Sequence, residues 1–256
     1  MTESKPVFIA DSCIGGLSVL KSMWDSGAEN DVVFWADYAI NPLGVKSDAI
    51  IAEVAGNWLR IAAEYSDTLV IGCNTLSIRY CQLDQSDLPD VGLEQVVSMV
   101  DCFKAMAEIE APRLKHSRVL VLGTAFTASQ PVYPDILDNL SAGIQVSTVA
   151  ATELERKVAR FQPWESEGDS VITAELRQAL GNSDFAVLAC TCFPMVKEEL
   201  EALFPDVVFL DPGAYCSGLL DSSRYSQNRK LRVTVSGDVV SPGSVENFAE
   251  SYLQKL

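Results

Sequence analysis

The chain of 256 residues contains a single histidine, His116, and only 19 Lys and Arg against 35 Asp and Glu, for a net charge of −16. It also lacks any run of about 18 apolar residues, the length of a membrane-spanning helix. Each shortage excludes something. With one imidazole, in the polar segment "LKHSRV", a Ser-His-Asp hydrolase has no convincing base, and "DSCIGG" is not the G-x-S-x-G elbow such enzymes use. The excess of negative charge repels a phosphate backbone, so no nucleic-acid partner is expected. A small anionic ligand stays admissible, because salt screens surface charges beyond roughly 10 Å. No membrane partner is expected. "MTESKPVFIA" begins polar and carries no apolar core before Asp11, so no secretory signal is read and the expected compartment is the cytoplasm.

Cysteine is present, yet not as a scaffold. Cys13, Cys73, Cys81, Cys102, Cys190, Cys192 and Cys216 are odd in number and show no framework spacing, which fits reduced thiols in a cytosolic protein. Cys190 and Cys192 form a C-x-C without a second pair at zinc spacing, so no metal is expected. Gly15 and Gly16 in "IGG" lack both G-x-G-x-x-G and Walker spacing. They read as a tight strand-to-helix turn rather than a nucleotide cradle.

The remainder alternates short apolar runs with amphipathic segments. Strands are expected at 7–10, 31–36, 67–72, 118–123, 144–150, 184–189, 207–210 and 231–235. In "SDAIIAEVAGNWLRIAAEYS", Ile51, Val54, Ala55, Trp58, Ala62 and Tyr65 fall on one helical face. Pro194 suits the first turn of a helix whose apolar face is Met195, Val196, Leu200, Leu203 and Phe204. "FQPWESEGDS" (161–170) reads as an exposed loop. Near-continuous apolar strands separated by helices indicate an α/β fold with parallel sheets.

The chain also repeats itself. "TLVIGCNTLS" (68–77) and "AVLACTCFPM" (186–195) each run from a buried strand into a cysteine, a small polar residue and a helix start, with Cys73 and Cys190 117 positions apart. Two α/β lobes of related design follow. Ligands of parallel sheets sit at the carboxyl ends of the strands. There stand Asp11 and Ser12, Asp37, Cys73 with Asn74 and Thr75, Thr124, and Cys190 with Thr191. A buried cysteine is more often a small hydrophobe than a reactive group. Still, a thiol at a helix N-terminus is favoured as thiolate. Two opposed thiols suit removal of a proton from one face of a carbon and its return to the other.

"VFIADSCIGGLSVL" resembles the opening of the glutamate racemases, F-D-S-G-x-G-G-L-[ST]-V-L. "ADYAINPLGVKS", "LVIGCNTLS" and "AVLACTCFPMV" resemble that family's G-D-x-A-x-x-P-Y-G-x-[KR]-[ST], L-V-I-A-C-N-T-A-[ST] and L-x-L-G-C-T-H-[YF]-P-L-[LI]. The likeness runs from about residue 7 to 254, within the aspartate/glutamate racemase superfamily. It implies two pseudo-symmetric α/β lobes with the active site between them: 1–96 plus 208–256, and 97–207. It implies racemisation without a cofactor, with Cys73 and Cys190 as the two acid/base thiols. Asp11, which orients Cys73 or meets the substrate ammonium, joins them in the site beside Ser12. Leu43 and Gly44 stand where the family's Tyr-Gly contacts substrate, Asn74, Thr75 and Thr191 offer donors to a carboxylate, and Thr124 and Cys192 complete the expected binding set. The implied partner is a small amino acid, glutamate first, with a role in cell-wall (peptidoglycan) synthesis. Members of the family often form dimers, and a homodimer is an expectation that no motif here specifies.

The chain departs from the pattern at four places. Cys192 replaces the family's His after C-T, Leu43 its Tyr, Cys13 its Gly after D-S, and Leu76 a small residue after C-N-T. The acidic residue expected to assist the second cysteine has two candidates, Glu153 and Glu155. Leu43, Leu76 and Cys192 predict a pocket less polar than that of a glutamate racemase. The alternatives are therefore another substrate (aspartate, a hydantoin or another small amino acid) and a degenerate paralogue that binds an amino acid without turnover.

Overall fold

The computed structural model describes residues 5–140, 142–162, 171–221, 224–237 and 243–254. Two parallel sheets form its frame. The first half runs β1 (Val7–Asp11), α1 (Gly16–Asp25), β2 (Val32–Asp37), α2 (Asp48–Tyr65), β3 (Thr68–Ile71), α3 (Asn74–Gln82) and β4 (Gln95–Ser98). The second runs α4 (Met99–Leu114), β5 (Arg118–Gly123), α5 (Ala125–Ser129), α6 (Val132–Asn139), β6 (Gln145–Ala150), α7 (Thr152–Ala159), α8 (Ala174–Gly181), β7 (Phe185–Ala189), α9 (Lys197–Leu203) and β8 (Val208–Leu210). The chain then returns with β9 (Leu231–Ser236) and α10 (Ser244–Leu253).

The first sheet has the order β4-β3-β1-β2-β9 and the second β6-β5-β7-β8. When the four strands of each half are numbered in chain order, both sheets read 4-3-1-2, and β9 extends the first at the β2 edge. The repeat seen around the two cysteines is thus a repeat of topology. β3 and β7 are equivalent strands, and Cys73 and Cys190 follow their tips.

The expected strands form, and one more appears. β4 is short, and Gln95 and Val96 are only half-buried, so "QVVS" has neither the length nor the apolar run of the others. It passes straight into α4 through a capping box, in which Ser98 accepts from the Asp101 backbone N–H and the Asp101 carboxylate accepts in return. Two short strands lie at the expected lobe boundaries, 96/97 and 207/208. Gln95–Ser98 pairs with β3 of the first sheet, and Val208–Leu210 pairs with β7 of the second. Local apolarity marked these segments without revealing their pairing. Within the expected loop 161–170, residues 163–170 lie outside the described residues.

Helix α2 behaves as its periodicity dictates. Ser47 caps it, and Ile51, Val54, Ala55, Trp58, Leu59 and Ala62 are buried against β1, β2 and β3. The Trp58 indole N–H donates to Asp37 Oδ2 at 2.9 Å, and Ser236 Oγ donates to Asp37 Oδ1. Asp37, at a strand end, is therefore occupied in holding α2, β2 and β9 together. The lobes share one apolar core, in which Ile9, Ile14, Leu17 and Phe34 join Leu120, Leu188, Phe193 and Leu200. Among the described residues no helix is long and apolar enough to cross a membrane.

After β8, the 3₁₀ segment Pro212–Leu219 packs on α1 and α4, and Tyr215 Oη donates to Glu110 Oε1 at 2.8 Å. Asp211 caps this segment, accepting from Gly213 N at 2.8 Å and from Ser22 Oγ at 3.3 Å. Burial raises its carboxyl to about 6. Because the folded value lies above the unfolded one, the native state gains from the bound proton at low pH. That gain is lost as pH rises from about 4 through about 6. Asp211→Asn keeps the acceptor for Gly213 and is expected to flatten this loss. Urea denaturation at pH 4.5 and 8 should show the variant gaining on the wild type by on the order of 1 kcal/mol at the higher pH, since partial exposure screens the effect.

Candidate active site

The carboxyl ends of both sheets border one cavity of about 390 Å³ between the lobes. Register brings its walls together. Ala10 of β1 lies beside Ile71 of β3, so Asp11, Ser12 and Cys13 emerge next to Cys73, Asn74 and Thr75. In the other lobe Gly123 pairs with both Ala189 and Ala150, which sets Thr124, Cys190 and Thr152 side by side. Cys73 comes from the first lobe and Cys190 from the second. Each is more than nine-tenths buried, and both line the cavity.

Cys73 is the N-cap of α3, as the motif suggested. Ser12 Oγ lies 3.5 Å from its Sγ. Burial, followed by the neighbouring Asp11 carboxylate, pushes this thiol well above the ordinary cysteine value, while Ser12 and the Leu76 backbone N–H oppose the rise. Cys190 departs from expectation. It is followed by the 3₁₀ turn Phe193–Val196, with Pro194 in that turn, and α9 begins only at Lys197. The helix-terminus argument for a thiolate therefore applies to Cys73 alone.

Asp11 is the junction of the site. Its Oδ2 accepts from Thr191 Oγ1 at 2.9 Å, across the lobes, and its Oδ1 accepts from Cys13 N at 3.3 Å and Ser12 Oγ at 3.4 Å. Ser18 Oγ donates to the Thr191 carbonyl at 2.8 Å and closes the same contact. Burial raises the Asp11 carboxyl to about 7 despite these donors. Gly15 makes the approach feasible, because a Cβ there would lie 2.3 Å from Thr191 Oγ1.

Asp11, Ser12, Leu43, Gly44, Cys73, Asn74, Thr75, Thr124, Cys190 and Thr191 all line the cavity. Cys192 does not. It is fully buried behind the wall, with its Sγ 3.5 Å from Cys13 Sγ. Leu76 is likewise fully buried, in the core beneath α2. Of the three residues expected to make the pocket less polar, only Leu43 reaches it. The apolar wall is completed instead by Pro42, Val45, Ala125 and Phe126, and Phe126 packs so closely on Gly44 that a Cβ there would sit 2.8 Å from its own. Among the described lining residues there is no Lys, Arg or His. His116 follows α4, away from the cavity.

The structure separates the two acidic candidates. Glu153 is exposed and pairs with Arg156 at 2.7 Å. Glu155, two positions on along α7, lines the cavity, and burial raises its carboxyl. Sequence reasoning missed Tyr133 of α6, which is fully buried and stacked on Phe103 with ring centroids 4.2 Å apart. Its Oη donates to Asn74 Oδ1 at 2.6 Å, which leaves the Asn74 NH₂ group for the cavity. Phe126 was missed as well. A lone aromatic in a helical segment carries no signal that separates a core residue from a cavity wall.

Two parallel α/β lobes of the same strand order, each placing a cysteine from its third strand into a shared cavity, define the class, and the glutamate and aspartate racemases that the chain resembles support the aspartate/glutamate racemase superfamily. No protein-family model matches it. Within the superfamily it is similar to glutamate racemases. It is 29% identical to that of Latilactobacillus sakei subsp. sakei (strain 23K), over 99% of this chain and 92% of the relative. It is 26% identical to that of Streptococcus suis (strain 05ZYH33), over 98% and 96%. Among solved structures, the glutamate racemase of Campylobacter jejuni subsp. jejuni superposes with a TM-score of 0.74 at 24% identity, covering 98% of this chain and 99% of that one. The glutamate racemase of Francisella tularensis subsp. tularensis SCHU S4, solved in complex with D-glutamate, gives 0.71 at 22% identity, over 98% and 94%.

Proposed function

We propose that the chain is a cofactor-independent amino-acid racemase that interconverts L and D forms by two-base proton transfer between Cys73 and Cys190. The observation that supports this most strongly is the entry of the two thiols into one cavity from opposite lobes, at equivalent places in a repeated fold. One acts as thiolate and removes the α-proton. The other, as thiol, delivers a proton to the opposite face, and the roles exchange with direction. Asp11 holds the loop that carries Ser12 beside Cys73 and offers a carboxylate to the substrate ammonium. Donors from Asn74 and Thr75 hold the α-carboxylate and stabilise the carbanion-like state in a largely water-excluded cleft, while the Thr191 hydroxyl, donated to Asp11, fixes the Asp11 carboxylate in place. Thr124 and Glu155 stand on the second-lobe side, and Glu155, as the acidic candidate that lines the cavity, is the one we assign to assist Cys190.

Glutamate is the first substrate, on the strength of the relatives named above, and its D form would feed cell-wall synthesis. The Leu43 wall and the lack of a cation among the described lining residues favour a second reading, a substrate with a neutral side chain or one shorter than that of glutamate, the latter including aspartate. The family likeness extends the proposal to a homodimer acting in the cytoplasm. Incubation in D₂O with a panel of acidic and neutral amino acids, read by loss of the Cα–H resonance and by chiral chromatography, tests the function. Exchange with racemisation of glutamate supports the first reading, and exchange of another member alone supports the second. No exchange with any member, with binding retained, would identify a degenerate paralogue.

A further inference from the structure

We propose that Cys13, Glu155 and Cys192 form a binding site for one thiophilic divalent cation, zinc, which bridges the two lobes at the edge of the cavity. The two thiol sulfurs and a Glu155 carboxylate oxygen all lie within 4.8 Å of one another. The sulfurs are 3.5 Å apart. A tetrahedral zinc with Zn–S of about 2.3 Å and Zn–O of about 2.0–2.2 Å separates its ligand atoms by roughly 3.5–3.8 Å, so small side-chain adjustments seat the ion. Two thiolates and a carboxylate are a soft, anionic donor set that selects zinc over magnesium or calcium.

The placement supports the same conclusion. Cys13 and Cys192 are at most 4% exposed, so their sulfurs are held by packing. Glu155 lies beside them on α7, and the neighbouring Arg156 forms its hydrogen bonds with Glu153. Cys13 and Glu155 line the cavity whereas Cys192 lies behind it. The fourth coordination position therefore opens toward the cavity, as in three-ligand zinc sites that take a water or a substrate oxygen. A carboxylate-bearing ligand is the chemical class that position would accept. The ligands come from three segments, the loop after β1, helix α7 and the turn after β7, which is why spacing rules found no site. Cys13 and Cys192 are also two of the four places where the chain departs from the family pattern, and the structure shows these two departures in contact.

Cobalt(II) is the probe. The 256-residue chain, reduced and freed of metal, is titrated with CoCl₂ under argon. The expected result is one equivalent bound, with thiolate-to-cobalt charge-transfer absorption and the visible bands of a tetrahedral ion, and displacement by ZnCl₂. Cys13→Ser and Cys192→Ser should each abolish the bands, and Glu155→Gln should weaken binding by at least about tenfold, the lower bound seen even for loss of an outer-sphere partner. Cys73→Ser and the distant Cys102→Ser should leave the bands in place. Circular dichroism identifies any variant that fails to fold. For such a variant, X-ray absorption at the zinc edge of the zinc-loaded wild type, expected to show sulfur neighbours at about 2.3 Å, replaces the spectrum, and a shell of oxygen and nitrogen alone overturns the proposal. No cobalt spectrum in the reduced wild type overturns the proposal. So do bands lost in Cys73→Ser but kept in Cys13→Ser. So does a chain that takes up no metal yet loses two hydrogens under mild oxidation, which would make the two thiols a redox pair.

Discussion

Cys73→Ala is expected to stop interconversion while leaving proton exchange at Cα of one enantiomer measurable. The remaining thiolate, Cys190, still reaches one face of the substrate and can remove and return a proton there. The opposite face has lost its acid, so the product retains configuration. Cys190→Ala should show the mirror-image behaviour, exchanging the other enantiomer. Racemisation should fall by about 10²–10⁴-fold in each variant, the usual contribution of a positioned acid or base. Chiral chromatography gives the racemisation rate, and NMR in D₂O gives the exchange rate of each enantiomer. Racemisation at the wild-type rate in either variant would refute the two-base assignment, as would exchange of the same enantiomer by both.

The largest expected loss of stability is for Trp58→Ala. Trp58 is fully buried, lies 5.9 Å from Trp35 between ring centroids, and is the hydrogen-bond donor to Asp37 Oδ2. Removing a buried indole destabilises by about 3–5 kcal/mol. In this size class that corresponds to a fall in Tm of roughly 6–20 °C. Trp58→Phe separates the two contributions. It preserves most of the packing and removes only the donor to a buried carboxylate, which predicts a smaller loss of about 1–3 kcal/mol. Calorimetry should rank alanine well below phenylalanine. Equal losses would show that the Asp37 contact, rather than packing, dominates at this position.

Much of the frame was legible because the physics is local. Continuous apolar strands, amphipathic helices and the 68–77 and 186–195 segments each carry their meaning within ten or twenty residues. The cavity's chemical side chains were legible for a related reason, since a parallel sheet delivers its ligand-binding groups at strand ends, and Cys73, Cys190, Asp11 and Thr191 stand there. What escaped depends on three-dimensional adjacency. β4 is a strand because β3 lies beside it, not because "QVVS" is strongly apolar. Glu153 and Glu155 lie two apart on one helix, and only the packing of α7 decides which faces the cavity. Leu76 and Cys192 flank pocket residues in sequence and yet point into the core, so adjacency to a motif overstated their reach. The contact between Cys13 and Cys192 joins positions 179 apart.

The return of β9 to the first sheet has a mechanical consequence. The second lobe is joined to the first by two passages of chain, one entering at Ser98–Met99 and one leaving after Leu210. The two are fastened to each other where Tyr215 of the Pro212–Leu219 segment meets Glu110 of α4. Two parallel attachments permit swinging about the line that joins them and resist swivelling about any other. The apolar core that the lobes share adds to that resistance, as a filled joint stiffens a door hung on two pins, and the two thiol-bearing strand tips keep one alignment across the cavity.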